Sequence, residues 1–115
     1  MRTLLLTALL FAASTAFADA VSAPQAFTVS ADQWAQQRSG AALLKLQPVH
    51  DAVAAWRAEP DAHILIRHPA SDAGALWAGE LSDWLVSLGV PSDHIDRQAS
   101  ADQPDDAVTL LVQRG

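Results

Sequence analysis

The stretch HILIRHPASDAGALWAGELSDWLVSLG, residues 63–89, contains a strand, a turn and a capped helix in succession. In His63–His68 the side chains of Ile64, Ile66 and His68 fall on one face, and those of His63, Leu65 and Arg67 on the other, because successive residues of a strand point opposite ways. Apolar residues on both faces predict an interior strand. Pro69-Ala70-Ser71-Asp72 reads as the turn, with Ser71 or Asp72 as the helix N-cap. The spacing then predicts a helix over Ala73–Leu88, with Trp77, Leu81, Trp84 or Leu85, and Leu88 on its core face. Gly89 supplies the left-handed C-cap, Val90 the apolar contact beyond it, and Pro91 the stop.

Working outward toward the N-terminus, Ala26–Ser30 alternates, with Phe27 and Val29 sharing a face, as a half-buried strand does. Ser30-Ala31-Asp32-Gln33 has capping-box spacing, so a helical turn carrying Trp34 is expected before Arg38-Ser39-Gly40 breaks it. Between Ala41 and Ala58, Leu43, Leu46, Val49, Val53 and Trp56 recur three or four apart, which is one face of a helix. Pro48 interrupts that stripe. Either the helix bends there, or Pro48 opens a second helical piece. The unbroken stripe favours one bent helix. Glu59-Pro60-Asp61 ends it.

Toward the C-terminus, Pro91–His94 leads into a short strand over Ile95–Arg97. A polar loop follows over Ala99–Asp106, then a last strand over Val108–Val112. The order β-α-β-α-β-β predicts an α/β (α+β) two-layer sandwich, two helices on one face of a small mixed sheet.

Arg2, the apolar run Leu4–Ala13 and the small-x-small site Ala16-Phe17-Ala18 have the three parts of a cleaved secretory signal over residues 1–18, with Ala20 as an alternative cut. The apolar run is too short to span a bilayer, which takes about 20 residues. Asp19–Gln25 then reads as a flexible arm and 26–115 as one domain. The chain has no cysteine, so disulfides and thiolate metal sites are excluded. A small exported domain without disulfides fits a bacterial periplasm best. Without Arg2 the balance is six basic to thirteen acidic side chains, a net charge of −7. That argues against nucleic acid or anionic membrane as partners, since both need a basic face.

ALLKLQPVHDAVAAWRAEPDAHILIRHP, followed by LSDWLVSLGVPSDHI, resembles the C-terminal peptidoglycan-associating domain of the outer-membrane protein A (OmpA-like) family over roughly Phe27 to Val112. The most specific piece is the helix end Leu85 to Ile95, and Arg67-His68 stands where the family has Gly-His. The family holds the diaminopimelate end of a wall stem peptide with the aspartate of its G-H-T-D turn and an arginine on the next helix. Here Pro69 and Ala70 occupy the Thr and Asp positions, the turn is shorter, and Trp77 falls at the arginine's place. The resemblance implies the scaffold without the family's grip, because an indole cannot replace a guanidinium fork on a carboxylate.

Among chemical candidates, Arg67 and His68 end a strand facing the start of a helix. With Ser71 and Asp72 they are the one place where a ligand fits, since free N–H groups and a guanidinium favour an anion; the alternative, which surface pairing favours, is that Arg67 pairs with Asp72 or another carboxylate and closes the edge. Ser71, Asp72 and His68 crowd into one turn, where serine and aspartate are expected as caps rather than as a triad drawn from separate elements. His50, His63, His68 and His94 lack metal-ligand spacing, and His63 and His68 point to opposite faces, so no metal and no cofactor are expected. Trp56, Trp77 and Trp84 lie on helix stripes as core. Trp34 is expected near solvent as an interface anchor. The expectation is a periplasmic binding or assembly module, not an enzyme, whose partner is an envelope protein or, alternatively, peptidoglycan reached through Arg67 and Asp72; a small periplasmic hydrolase stands third.

Overall fold

The computed structural model describes residues 24–36, 40–59 and 61–114. The signal over 1–18, most of the arm and the Arg38-Ser39 break lie outside the described residues. The elements are β1 (Gln25–Ser30), α1 (Ala31–Gln36), α2 (Gly40–Leu44), α3 (Gln47–Ala58), β2 (Ala62–Pro69), α4 (Asp72–Ser87), a 3₁₀ turn (Ser92–His94), β3 (Ile95–Ser100) and β4 (Ala107–Arg114). β1 therefore takes in Gln25, which the sequence assigned to the arm, and β3 runs three residues past Arg97.

The four strands form one mixed sheet in the order β1-β4-β2-β3. β4 is antiparallel to both β1 and β2, while β2 and β3 are parallel. Each parallel relation needs a crossover, since parallel strands cannot be joined by a tight turn. The helices α1–α3 carry the chain from β1 to β2, and α4 carries it from β2 to β3. The loop over residues 101–106 must then step past the carboxyl end of β2 to reach β4. The expected α+β architecture, β-α-β-α-β-β with helices packed on a four-stranded mixed sheet, is the one present.

All the deep burial lies on one side. Ile64 and Ile66 of β2 and Val108, Leu110 and Val112 of β4 alternate inward and join Val29, Val49, Val53, Leu81 and Leu85 in a single core. Burying a Leu, Ile or Val side chain contributes about 1.5–3 kcal/mol each, so these residues hold the helices to the sheet. The opposite face, with His63, Leu65 and Arg67 of β2 and Thr109, Leu111 and Gln113 of β4, is only half-buried. β2 is an interior strand as its sequence predicts, but the described residues cover only one of its faces.

The bent-helix reading of 41–58 is corrected. The chain closes α2 with tight i→i+3 bonds, Lys45 N–H to Ala42 O at 3.0 Å and Leu46 N–H to Leu43 O at 3.0 Å. A new helix then starts with Leu46 as its N-cap and Pro48 in its first turn. An unbroken helix would drive the proline ring into the carbonyl four residues back, whereas in a first turn its missing N–H is one the helix could not have used. The stripe survives the break: Leu43, Val49 and Val53 are buried, and Leu46 and Trp56 pack against them.

The caps of α4 follow their local signals. Ser71 Oγ accepts from Gly74 N–H at 3.0 Å. At the other end Gly89 has φ +106°. Its N–H reaches Val86 O at 3.0 Å, and Val90 N–H reaches Leu85 O at 3.0 Å. That is the paired Schellman arrangement, closed by the buried contact of Val90 with Leu85. The buried face is Gly74, Ala78, Leu81 and Leu85, while Trp77, Trp84 and Leu88 flank it. Two small residues sit where the sequence pattern put a tryptophan, because they let α4 approach the sheet closely.

Candidate functional site

The four residues expected to form one ligand site are divided by the sheet. His68 points to the helix side and is 7% exposed. Its Nδ1 donates to Pro69 O at 2.9 Å. Ser71 is occupied as the cap of α4. Asp72 is exposed in the first turn of that helix, where its charge favours the helix dipole. Arg67 alternates to the uncovered face, so it cannot act together with His68. Strand alternation sends neighbours in sequence to opposite faces, so the expected grouping of Arg67 with His68 does not form.

What Arg67 meets instead comes from farther along the chain. Its register partners are Gln98 on β3 and Thr109 on β4. Arg67, Gln98, Ala99, Ser100, Asp102 and Gln103 line a pocket of ≈ 380 Å³ at the carboxyl end of the parallel pair. The loop that steps past β2 forms its far wall. Gln103 Nε2 ties that loop to β4 by donating to Ala107 O at 3.0 Å and Thr109 Oγ1 at 3.2 Å. Ser100 Oγ accepts from Asp102 N–H at 3.2 Å. The guanidinium of Arg67 and the carboxylate of Asp102 have no hydrogen-bond or ion-pair partner among the described residues. Gln98, Asp102 and Gln103 carried no recognisable motif. Their only signal was polarity on a strand and loop following a buried βα unit.

A second cluster lies at the opposite, amino end of the same strands. The rings of His63 and His94 stack at 4.9 Å with 15° between planes, and Trp56 meets His94 edge-on at 6.0 Å. His63 Nδ1 bonds Asp96 Oδ2 at 3.0 Å. Ala62 O accepts from both His94 Nδ1 and Trp56 Nε1, each at 3.0 Å. These contacts fasten the end of α3 and the 3₁₀ turn to the start of β2. Among the described residues no three His, Asp or Glu side chains gather as a metal would need.

Trp34 is half-buried and meets Trp77 at 6.1 Å with a 36° tilt. It is positioned by the expected capping box, in which Ser30 N–H donates to Gln33 Oε1 at 3.0 Å and Gln33 N–H to Ser30 Oγ at 3.1 Å. Trp34 therefore packs onto the core as well as reaching solvent. No helix among the described residues is long and apolar enough to cross a membrane.

Fold and site define an α+β domain with one face of its sheet covered by helices and a polar pocket on the other. No protein-family model matches the chain, and neither a curated protein nor a solved structure does.

Proposed function

We propose that the chain is a secreted, non-catalytic binding module of the bacterial cell envelope, an abbreviated OmpA-like domain that meets its partner over the uncovered face of its sheet. The observation that carries this reading is Arg67, a guanidinium without a partner among the described residues, set in a polar pocket on that face. A fork of five fixed donors left uncommitted favours an incoming acceptor such as a carboxylate. Of the turn residues that could be read as a triad, Ser71 serves as a helix cap and His68 faces the helix side with its Nδ1 bonded to Pro69 O. The element order agrees with the scaffold that the OmpA-like resemblance implies, and the signal at the N-terminus of the sequence supports export.

The test places a photo-reactive residue at Gln98 on the uncovered face and, as a control, at Leu76, which is 67% exposed on α4. Adducts in envelope extract from position 98 and none from position 76 are expected. The reverse pattern would refute the choice of face. Cell-wall anchoring is a second reading, favoured by the same free Arg67. Retention on purified sacculi that is lost in Arg67→Ala would select it over a protein partner.

A further inference from the structure

The sheet ends in β1 on one side and in β3 on the other, and the two edges differ. β3 carries Asp96 and Arg97, the kind of charges that keep edge strands from pairing. β1 reads Gln25-Ala26-Phe27-Thr28-Val29-Ser30, with no charge, proline or glycine, and its register with β4 runs without a bulge. Which backbone groups face that edge follows from the ladder. Ala31 N–H donates to Asp106 O at 2.8 Å, one step past the pair Ser30–Ala107. Residues that bond the neighbouring strand alternate with residues that point away. Gln25, Phe27 and Val29 therefore bond β4, while Ala26, Thr28 and Ser30 turn their N–H and C=O outward. Ser30 N–H is spent on Gln33 Oε1 at 3.0 Å, and Pro24, just before the strand, has no N–H to give. Ala26 and Thr28 are exposed, and no strand among the described residues lies beside them.

We propose that β1 pairs antiparallel with β1 of a second copy about a two-fold axis at Phe27, joining the two sheets into one. The free groups select this register. With Phe27 opposite its own counterpart, Ala26 faces Thr28 of the second copy and the two exchange both bonds, on each side of the axis. Beyond them Pro24, without an N–H, meets Ser30, whose N–H is spent, so no donor is stranded at either end. An axis at Thr28 would instead set Ala26 C=O against that spent N–H. An axis between the two residues would oppose side chains from different faces of the sheet. Phe27, half-buried on the helix side, gains an aromatic cross-strand contact at the axis. An edge strand can also take an extended peptide from another protein. The second copy is favoured because the free donors and acceptors of β1 complement themselves, which an isologous two-fold interface requires. The chain has a net charge of −6, so two copies repel everywhere except along this neutral strand, and salt tightens the pair. The axis stands normal to the sheet, so both uncovered faces point the same way and stay open; the pairing does not depend on what those faces bind.

The test is sedimentation velocity of the purified chain from about 10 μM to about 1 mM, the range in which a single short strand pairs weakly. The average mass is expected to rise from one chain toward two, and more steeply at about 0.5 M salt than at about 0.05 M. Thr28→Pro removes an outward N–H that β4 does not use, so it should hold the mass at one chain and leave the urea midpoint unchanged. Cysteine variants give the same answer without the proline. The chain has no cysteine, so Phe27→Cys should link to its own copy in a glutathione buffer, across the roughly 4.5 Å Cα spacing of a non-hydrogen-bonded pair. Thr28→Cys, which faces Ala26, should link about tenfold more slowly or less. A mass of one chain at every concentration, a dimer that loosens with salt or persists in a folded Thr28→Pro, or equal linking of the two cysteine variants overturns the proposal. So does protection of the Ala26 and Thr28 amides from exchange by envelope extract alone, which gives the edge to another protein. None of these results alters the crosslinks expected from position 98, which test the uncovered face separately.

Discussion

Glycine-to-alanine exchange at two positions of α4 should have opposite effects, and the difference measures how tightly this helix sits on β2. A Cβ built on Gly74 would lie 2.3 Å from Pro69 O, 2.9 Å from Pro69 Cβ and 3.0 Å from Pro69 C. The carbonyl cannot easily turn aside, because it accepts Ser71 N–H and His68 Nδ1, each at 2.9 Å. Overpacking of this kind costs about 1–3 kcal/mol, and backbone atoms held by two hydrogen bonds put the cost at the upper end. Alanine recovers about 1 kcal/mol of helix propensity, leaving Gly74→Ala about 2 kcal/mol less stable. At Gly79 the nearest atom is Arg97 Nη1 at 3.3 Å, the end of an exposed side chain that can swing away. Gly79→Ala should keep most of the propensity gain, up to about 1 kcal/mol. Urea unfolding with unchanged slope reads both values as midpoint shifts. In a melt, Gly74→Ala should fall by about 8–16 °C. A Gly74→Ala variant as stable as the parent would show that α4 does not approach Pro69 this closely.

Gly89→Ala should cost about 1–2 kcal/mol, read by the same urea midpoint, because φ +106° disfavours any side chain. Ser71→Ala removes the acceptor of Gly74 N–H and should lower stability by about 1 kcal/mol, whereas Ser71→Asp should restore most of it. Leu85→Ala empties a fully buried position under the C-cap and should cost about 2–5 kcal/mol in a denaturant titration. Trp56→Phe deletes the indole donor to Ala62 O but leaves that carbonyl bonded to His94, so a loss of only about 0.5–1.5 kcal/mol is expected.

The helix over Asp72–Ser87 was legible almost to the residue, since a cap at Ser71, a period of three to four and a glycine before a proline all act within one or two turns of the chain. The capping box at Ser30 and Gln33 was legible for the same reason. The break before Pro48 was misread because the stripe Leu43, Leu46, Val49, Val53, Trp56 continues across it; the pattern of burial persists even where the backbone hydrogen bonds do not. The buried face of α4 was read slightly off its centre, because Gly74 and Ala78 carry little hydrophobic signal and matter by their smallness.

By itself the sequence determined the order of strands and helical stretches, the caps of α4 and the capping box of α1, and with them the α+β class, but not the break that divides α2 from α3. Which groups share a site was decided only by the tertiary structure. Arg67 stands beside His68 in the chain and on the opposite face of the sheet, yet β2–β3 register sets it beside Gln98, and the loop past β2 brings Asp102 to the same pocket. His63 and His94 stack across the start of the same pair of strands. Turns and caps are settled by neighbours within a few residues, whereas strand order and register are chosen by the burial of the whole core, and no local window of sequence carries that sum.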